Sequence, residues 1–158
     1  GHGLHGLPWG EGEGGLLDWS PDAKWIVVEV DDSSVMHGQG DMREKCKFPR
    51  GEVVFCGDRY GATKYLKLHG GRGAVVGSTN TGGDDSTNTG GYGSTNTGGY
   101  HSTNTGGDRS TLCFKHWDVE RDRVVVVYVG ENGIKPNVPY RLNDKGEVVE
   151  AITTPKEE

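Results

Sequence analysis

Apolar residues are scarce in this chain. The hydrophobic set makes up 32% of 158 residues, too little for a core of ordinary density along the whole length. No apolar run approaches the roughly 18 residues of a membrane-spanning helix, so no membrane span is expected. A charged stretch followed by an apolar one, the mark of a secretory leader, is not seen in the sequence, and because it starts at Gly1 without Met, earlier processing or trimming stays open. Cysteine is limited to Cys46, Cys56 and Cys113, without CxxC spacing. At most one disulfide is available, and the redox state of the three stays open. Nor is there a basic excess: Lys and Arg number 17 against 23 Asp and Glu, a net charge of −6. The balance is even, with 9 basic against 11 acidic residues over 1–77, 1 against 3 over 78–109, and 7 against 9 over 110–158. Without a basic stripe to meet phosphates, nucleic acid is not an expected partner.

Catalytic signatures are missing too. His2, His5, His37, His69, His101 and His116 show neither HExxH nor any other paired ligand spacing. There is no GxSxG and no GxxxxGK[ST], and the glycines of residues 10–15 match GxGxxG poorly and follow no strand pattern. Asp84-Asp85 invites a calcium site, but the GGxGxDxUx nonapeptide of calcium β-rolls is absent. No metal and no cofactor are expected. Were the N-terminal region an enzyme, His5, Glu29, Asp58 and Arg59 would supply a base, acids and an anion clamp. Each has an ordinary structural role instead: His5 at a turn, Glu29 at a strand end, and Asp58-Arg59 opening a helix.

What the chain has in excess is glycine, 28 residues, roughly two and a half times the usual share of about 7%. Seven crowd the first fifteen residues, and nine fall in a repeat. Residues 78–109 read STNTGGDD, STNTGGYG, STNTGGYH and STNTGGDR, and a fifth start, Ser110-Thr111, breaks off into LCFKHW. The composition alone also fits a flexible linker; we read the array as ordered. Ser-Thr-Asn-Thr then forms a short extended segment, and the two glycines supply the permissive backbone of a sharp corner. One octad cannot enclose an interior. Two octads per coil place two strands back to back, and successive coils stack about 4.8 Å apart as parallel strands.

Alternation along each strand separates two sets of side chains. We place Ser78, Asn80, Ser86, Asn88, Ser94, Asn96, Ser102 and Asn104 inward, where hydroxyls and stacked amides satisfy one another. Thr79, Thr81, Thr87, Thr89, Thr95, Thr97, Thr103 and Thr105 then point outward as TxT rows; the reverse arrangement, with threonine methyls inward, stays open. Positions seven and eight vary between octads, as at solvated corners, and Tyr92, Tyr100 and His101 are the candidates there for partner contacts.

Two coils need caps, and the flanks carry the apolar residues to supply them. Strand patterns occupy 25–30 and 51–56, a turn 21–24, a helix 58–68, and an irregular first rung 73–77. After the repeats, 123–129 is the most hydrophobic strand, 131–133 a turn, and 136–142 and 146–152 are further strands. The expected architecture is mainly β: a short parallel β-solenoid over residues 74–111, between a small α+β cap over 1–73 and a β-rich cap over 112–158.

Two resemblances follow from these residues. Gly3-Leu4-His5-Gly6, the WIVVEV strand, Gly40-Asp41 with KFPRGEVVF, the octads, and a closing GxxIKPxxxYxL (Gly133, Ile134, Lys135, Pro136, Tyr140, Leu142) resemble an uncharacterised group of bacterial and bacteriophage proteins. That group carries similar octads between similar flanks, which supports the architecture and says little of mechanism. More narrowly, Gly91-Tyr92-Gly93-Ser94-Thr95-Asn96-Thr97-Gly98 resembles the GYGSTxTxG repeat of bacterial ice-nucleation proteins, whose two-strand solenoids present outward TxT rows. That resemblance implies ice or water ordering, although four threonines per face make a small plane. The reading preferred from the residues is a non-enzymatic, self-assembling structural protein, a homo-oligomer or filament subunit, or a phage or cell-surface binding module. Its setting stays open, with an extracellular or virion-associated one favoured over the cytoplasm. Ice or water ordering is the alternative, and an enzyme in the N-terminal module the second alternative.

Overall fold

The structure is a computed structural model and describes residues 3–15, 17–38, 45–71 and 74–151. His2, Gly40, Asp41, Gly73 and Ile152, named above, lie outside the described residues.

The N-terminal region forms β1 (Leu4–Gly6), a 3-10 turn (Pro8–Gly10), β2 (Trp25–Glu29), a second 3-10 turn (Asp32–Ser34), β3 (Met36–His37), β4 (Cys46–Phe48), β5 (Glu52–Gly57) and helix α1 (Arg59–Leu68). β2 and β5 pair antiparallel, with a shift of register between Val27 and Val28. α1 starts where the pattern said a helix should. Asp58 is its N-cap, and its carboxylate accepts a 2.7 Å bond from the Gly61 N–H, meeting one of the donors a helix start leaves unpaired. The small sheet of β1, β4 and β3 has no counterpart in the sequence reading, since runs of two or three residues carry too little alternation to be seen.

An aromatic clasp ties this region to the repeats. Trp19 meets Trp25 edge-on at 5.4 Å between ring centroids and Tyr92 at 5.7 Å, with the Arg59 guanidinium 5.4 Å above its ring. Two of the N-terminal glycines belong to the same contact. A Cβ on Gly14 would lie 2.8 Å from both Tyr92 and Val76, and the Gly10 carbonyl accepts a 2.7 Å bond from the Val76 N–H. Side chains at these positions would push the segment off the repeats.

Each octad contributes one short strand: β6 (Thr79–Thr81), β7 (Thr87–Thr89), β8 (Thr95–Gly98) and β9 (Thr103–Thr105). Pairing skips one octad. β6 lies parallel to β8 with Asn80 opposite Asn96, and β7 parallel to β9 with Asn88 opposite Asn104. The corners explain both glycines of the octad. A Cβ on the first would strike the serine four residues on, as Gly106 would meet Ser110 Cβ at 2.5 Å. At the second, in Gly99 and Gly107, it would strike the backbone fifteen residues back, Asp84 N at 2.6 Å and Tyr92 N at 2.5 Å, while a Cβ on Gly83 would meet nothing within 4 Å. The eighth position is constrained as well. Asp85, Gly93, His101 and Arg109 all have φ between 55° and 62°, and Gly77, one octad earlier, has 68°. The varied residues there all serve a left-handed corner, which aspartate and histidine tolerate better than most.

Beyond the octads the sheets become mixed. β10 (Thr111–Trp117) continues parallel beside β8, and β11 (Asp122–Tyr128) closes that sheet antiparallel in the order β11-β10-β8-β6. β12 (Pro139–Leu142) lies antiparallel to β9 and is followed by β13 (Val148–Glu150), giving β13-β12-β9-β7. The octad strands pair in parallel, as expected for 74–111, and the β-rich region beyond them adds antiparallel strands, so both sheets are mixed. In the column where Asn80 and Asn96 stand, the next residue is Leu112, and the interior turns from amide to hydrocarbon. Leu112, Phe114, Val129 and Tyr140 form the buried core here, with Val127, Ile134, Val138, Leu142 and Val148 packed around it. Tyr140 brings a hydroxyl inside, and it accepts a 2.8 Å bond from the Lys135 N–H.

Candidate functional site

The octads enclose a polar interior. Ser78, Asn80, Asn88, Ser94, Asn96, Ser102 and Asn104 are buried, with Asn96 and Asn104 at 0% exposure, and Ser86 is half-buried. Burial of amides is costly unless their hydrogen bonds are made. Here they are made along two directions. Within each column the amides bond one another, Asn80 Nδ2 to Asn96 Oδ1 at 2.6 Å and Asn88 Nδ2 to Asn104 Oδ1 at 2.9 Å. Across the interior, each donates to the carbonyl nine residues ahead: Asn80 to Thr89, Asn88 to Thr97, Asn96 to Thr105 and Asn104 to Cys113, at 2.8 to 3.3 Å. Ser94 and Ser110 add a hydroxyl pair at 3.0 Å. These bonds hold the two sheets face to face and leave the threonines on the outside.

Outside, the two faces differ. Residues paired across strands share a face, so on the first sheet one row runs Thr79, Thr95, Thr111, Tyr128 and the next Thr81, Thr97, Cys113, Val126. Thr111 and Cys113 thus add a third rung. The sequence signal for it was the surviving Ser110-Thr111 start, with Leu112 in the place of asparagine. On the second sheet Thr87 and Thr89 are followed by Thr103 and Thr105, and then Pro139 lies beside Thr105. Thr79, Thr81, Thr87 and Thr89 are exposed, and Thr95, Thr97, Thr103 and Thr105 half-buried. Threonines two apart on a strand are about 6.7 Å apart and neighbouring rungs about 4.8 Å.

The end of the stack nearest β6 and β7 is open. A cleft of about 550 Å³ lies there, lined by Lys67, Thr79, Asn80, Thr81, Thr87, Asn88 and Thr89. The Lys67 ammonium, carried by the last turn of α1, donates to Asn80 Oδ1. It stands where the amide of a preceding octad would stand.

The corner residues diverge. Tyr92, named as a contact candidate, is buried against Trp19 and offers no free surface. Tyr100 is half-buried and His101 exposed. The Tyr100 hydroxyl donates to Asp122, and the Lys115 ammonium lies 5.6 Å from its ring and 3.4 Å from the Asp122 carboxylate. The bond to Asp122 raises the Tyr100 phenol above its ordinary range and lowers the Asp122 carboxyl.

The catalytic candidates sit on separate elements. His5 is in β1 and Glu29 ends β2, while Asp58 caps α1 and Arg59 covers Trp19. No hydrogen bond or ion pair joins them among the described residues. Cys46, Cys56 and Cys113 carry free thiols, and burial raises that of Cys46. Among the described residues no group of His, Cys, Asp and Glu is placed to hold a metal, and no helix is long and apolar enough to cross a membrane.

No family model and no solved structure matches the chain. Several curated proteins do. An ice nucleation protein of Pseudomonas syringae is 39% identical over 82 residues, 51% of this chain and 6% of that protein. One of Pseudomonas fluorescens is 40% identical over 65 residues, 41% of this chain and 5% of that protein. A third, from Pantoea ananas, is 36% identical over 72 residues, 43% of this chain and 6% of that protein. Each match is longer than the four octads, yet the chain spans only about one twentieth of the length of the curated relatives it matches. Over about half of its length, then, this chain is similar to ice nucleation proteins.

Proposed function

We propose that this chain is a non-enzymatic, self-assembling structural module. The octads over 74–111 form a short β-solenoid of two octapeptides per coil, held between an α+β cap over 1–73 and a β-rich cap over 112–158. The observation that carries this reading is a rigid polar interior joined to free strand edges. The ladders of Asn80–Asn96 and Asn88–Asn104 fix the strands, while β6, β7 and β11 each end a sheet. Open edges pair with other chains unless charge, proline or a cover blocks them; the STNT strands themselves have neither charge nor proline, and Lys67 alone reaches over β6 among the described residues. The partner is a second copy of the chain, in a homo-oligomer or filament. Light scattering over a wide concentration range tests it: a mass above one chain is expected, and a single-chain mass at every concentration refutes the reading.

A second reading, ice or water ordering, is favoured by the relatives' names and by the outward TxT rows of the first sheet. Its surface is the face of Thr79, Thr81, Thr95, Thr97 and Thr111, which is larger by one rung than the face of the second sheet. Thermal hysteresis or ice shaping that is lost in Thr95→Tyr plus Thr97→Tyr supports it. Freezing behaviour equal to that of buffer removes it.

A further inference from the structure

We propose that two copies of this chain join through β11, edge to edge and antiparallel, about a two-fold axis that passes beside Val125. The inference rests on the self-association reading above and names its surface. β11 runs for seven residues, Asp122–Tyr128, as DRVVVVY, the longest strand among the described residues with one side unpaired. Other free edges are shorter or guarded. β6 and β7 have three residues each, and Lys67 reaches over β6; β13 has three and ends in Glu150.

The backbone of β11 shows which groups are free. Val129 N–H bonds Ser110 O at 2.8 Å, and in an antiparallel ladder residues alternate between bonding the partner and facing away. Val127, Val125 and Arg123 therefore bond β10, while the N–H and C=O of Asp122, Val124 and Val126 face the open edge. The side chains agree with an unfinished surface. Val124 is 63% exposed, Val126 42% and Tyr128 51%, and exposed apolar strands of this length are unusual unless something covers them.

The sequence of β11 complements itself. With Val125 opposite Val125, the full strand overlaps: Val124 meets the second copy's Val126, and Asp122 meets the second copy's Tyr128, a phenol donor beside a carboxylate. Arg123 meets Val127, so neither charge faces its own mate, as both would in a parallel pairing. Each apolar cross-strand pair adds to the backbone bonds. Because the axis is perpendicular to the sheet, the sheet continues as eight strands, and the Thr79, Thr95 and Thr111 rows of both copies lie on the same side. A face that is small on one molecule is doubled.

The test is the mass of the full chain, by light scattering or sedimentation, with amide hydrogen exchange. The wild type is expected at twice the 17.0 kDa chain mass, with the Val124 and Val126 amides protected and that protection lost on dilution. Val126→Pro removes an N–H that β10 does not use, so it is expected to give a single-chain mass with unchanged circular dichroism. If that variant fails to fold, Val124→Lys plus Val126→Lys decides by placing like charges opposite one another, again with loss of the dimer expected. A dimer that persists in the variant that folds, or a wild-type dimer whose Val124 and Val126 amides exchange freely, overturns the β11 interface and leaves self-association standing. A monomeric wild type up to millimolar concentration overturns both.

Discussion

Replacing Asn96 by alanine probes the polar interior at its most enclosed point. The side chain is fully buried and makes three bonds: it accepts from Asn80 Nδ2 at 2.6 Å and donates to Ser94 Oγ at 3.1 Å and Thr105 O at 3.0 Å. Alanine removes all three, at about 1 kcal/mol net each. None of the former partners is stranded. Asn80 Nδ2 keeps Ser78 Oγ and Thr89 O, Ser94 Oγ keeps Ser110 Oγ, and Thr105 O keeps the Gly90 N–H. The expected loss is therefore about 3 kcal/mol, without the further penalty of buried groups left alone. In urea, with a slope of about 2 kcal/mol per molar, the midpoint falls by about 1.5 M. Asn80→Ala is the control. It breaks four bonds, three donated to Ser78 Oγ, Thr89 O and Asn96 Oδ1 and one accepted from Lys67, but sits at 9% exposure beside the open cleft, where water replaces about half of each, and a smaller loss of about 2 kcal/mol is expected. A loss below about 0.5 kcal/mol for Asn96→Ala, or equal losses for the two variants, would refute the claim that enclosed amide bonds hold the octads together.

Three further outcomes follow from the same geometry. Gly83→Ala should stay within about 0.5 kcal/mol of wild type, because nothing lies within 4 Å of the added Cβ; the equivalent Gly99→Ala and Gly107→Ala should cost about 3 kcal/mol each by thermal melting, since backbone atoms stand in the way. Asp58→Ala removes the α1 cap and is expected to cost about 1 kcal/mol in chemical denaturation, with α1 amides exchanging faster than those of β8. The Asp118 carboxyl is lowered to about 2 by its bond to Arg123 and by the Arg121 and Glu120 N–H groups. Its folded value lies below the ordinary one, so its contribution to stability is full above about pH 4 and is lost as pH falls toward 2; in Arg123→Gln, carboxyl NMR titration should show the Asp118 midpoint moving up.

Legibility varied with the range of the interaction involved. α1 could be read because Asp58 and the apolar positions Ala62, Tyr65 and Leu66 act within the helix itself. β2, β5 and β11 announced themselves through runs of valine and isoleucine. β1, β3 and β4 did not, because pairs made only by distant contacts leave no local periodicity. β10 was hidden for a different reason: Leu112 breaks the octad, and only its place beside Asn96 makes it the continuation of a strand stack. Tyr92 was misplaced on the surface because its burial depends on Trp19, some seventy residues away in sequence.

By itself the sequence determined the eight-residue period, the alternation along STNT and the corner at the first glycine, since these depend on residues at most four apart, whereas the second glycine is required by backbone fifteen residues away. Which octads pair, which alternating set is enclosed, and which edges remain free were decided by the tertiary structure. A single octad is too short to close around an interior, so its inside exists only once the next octad supplies the carbonyl nine residues ahead and the octad sixteen residues away stacks its amide on the same column. The same holds at the far end of the stack, where β11 meets β10 on one side and is unpaired on the other among the described residues.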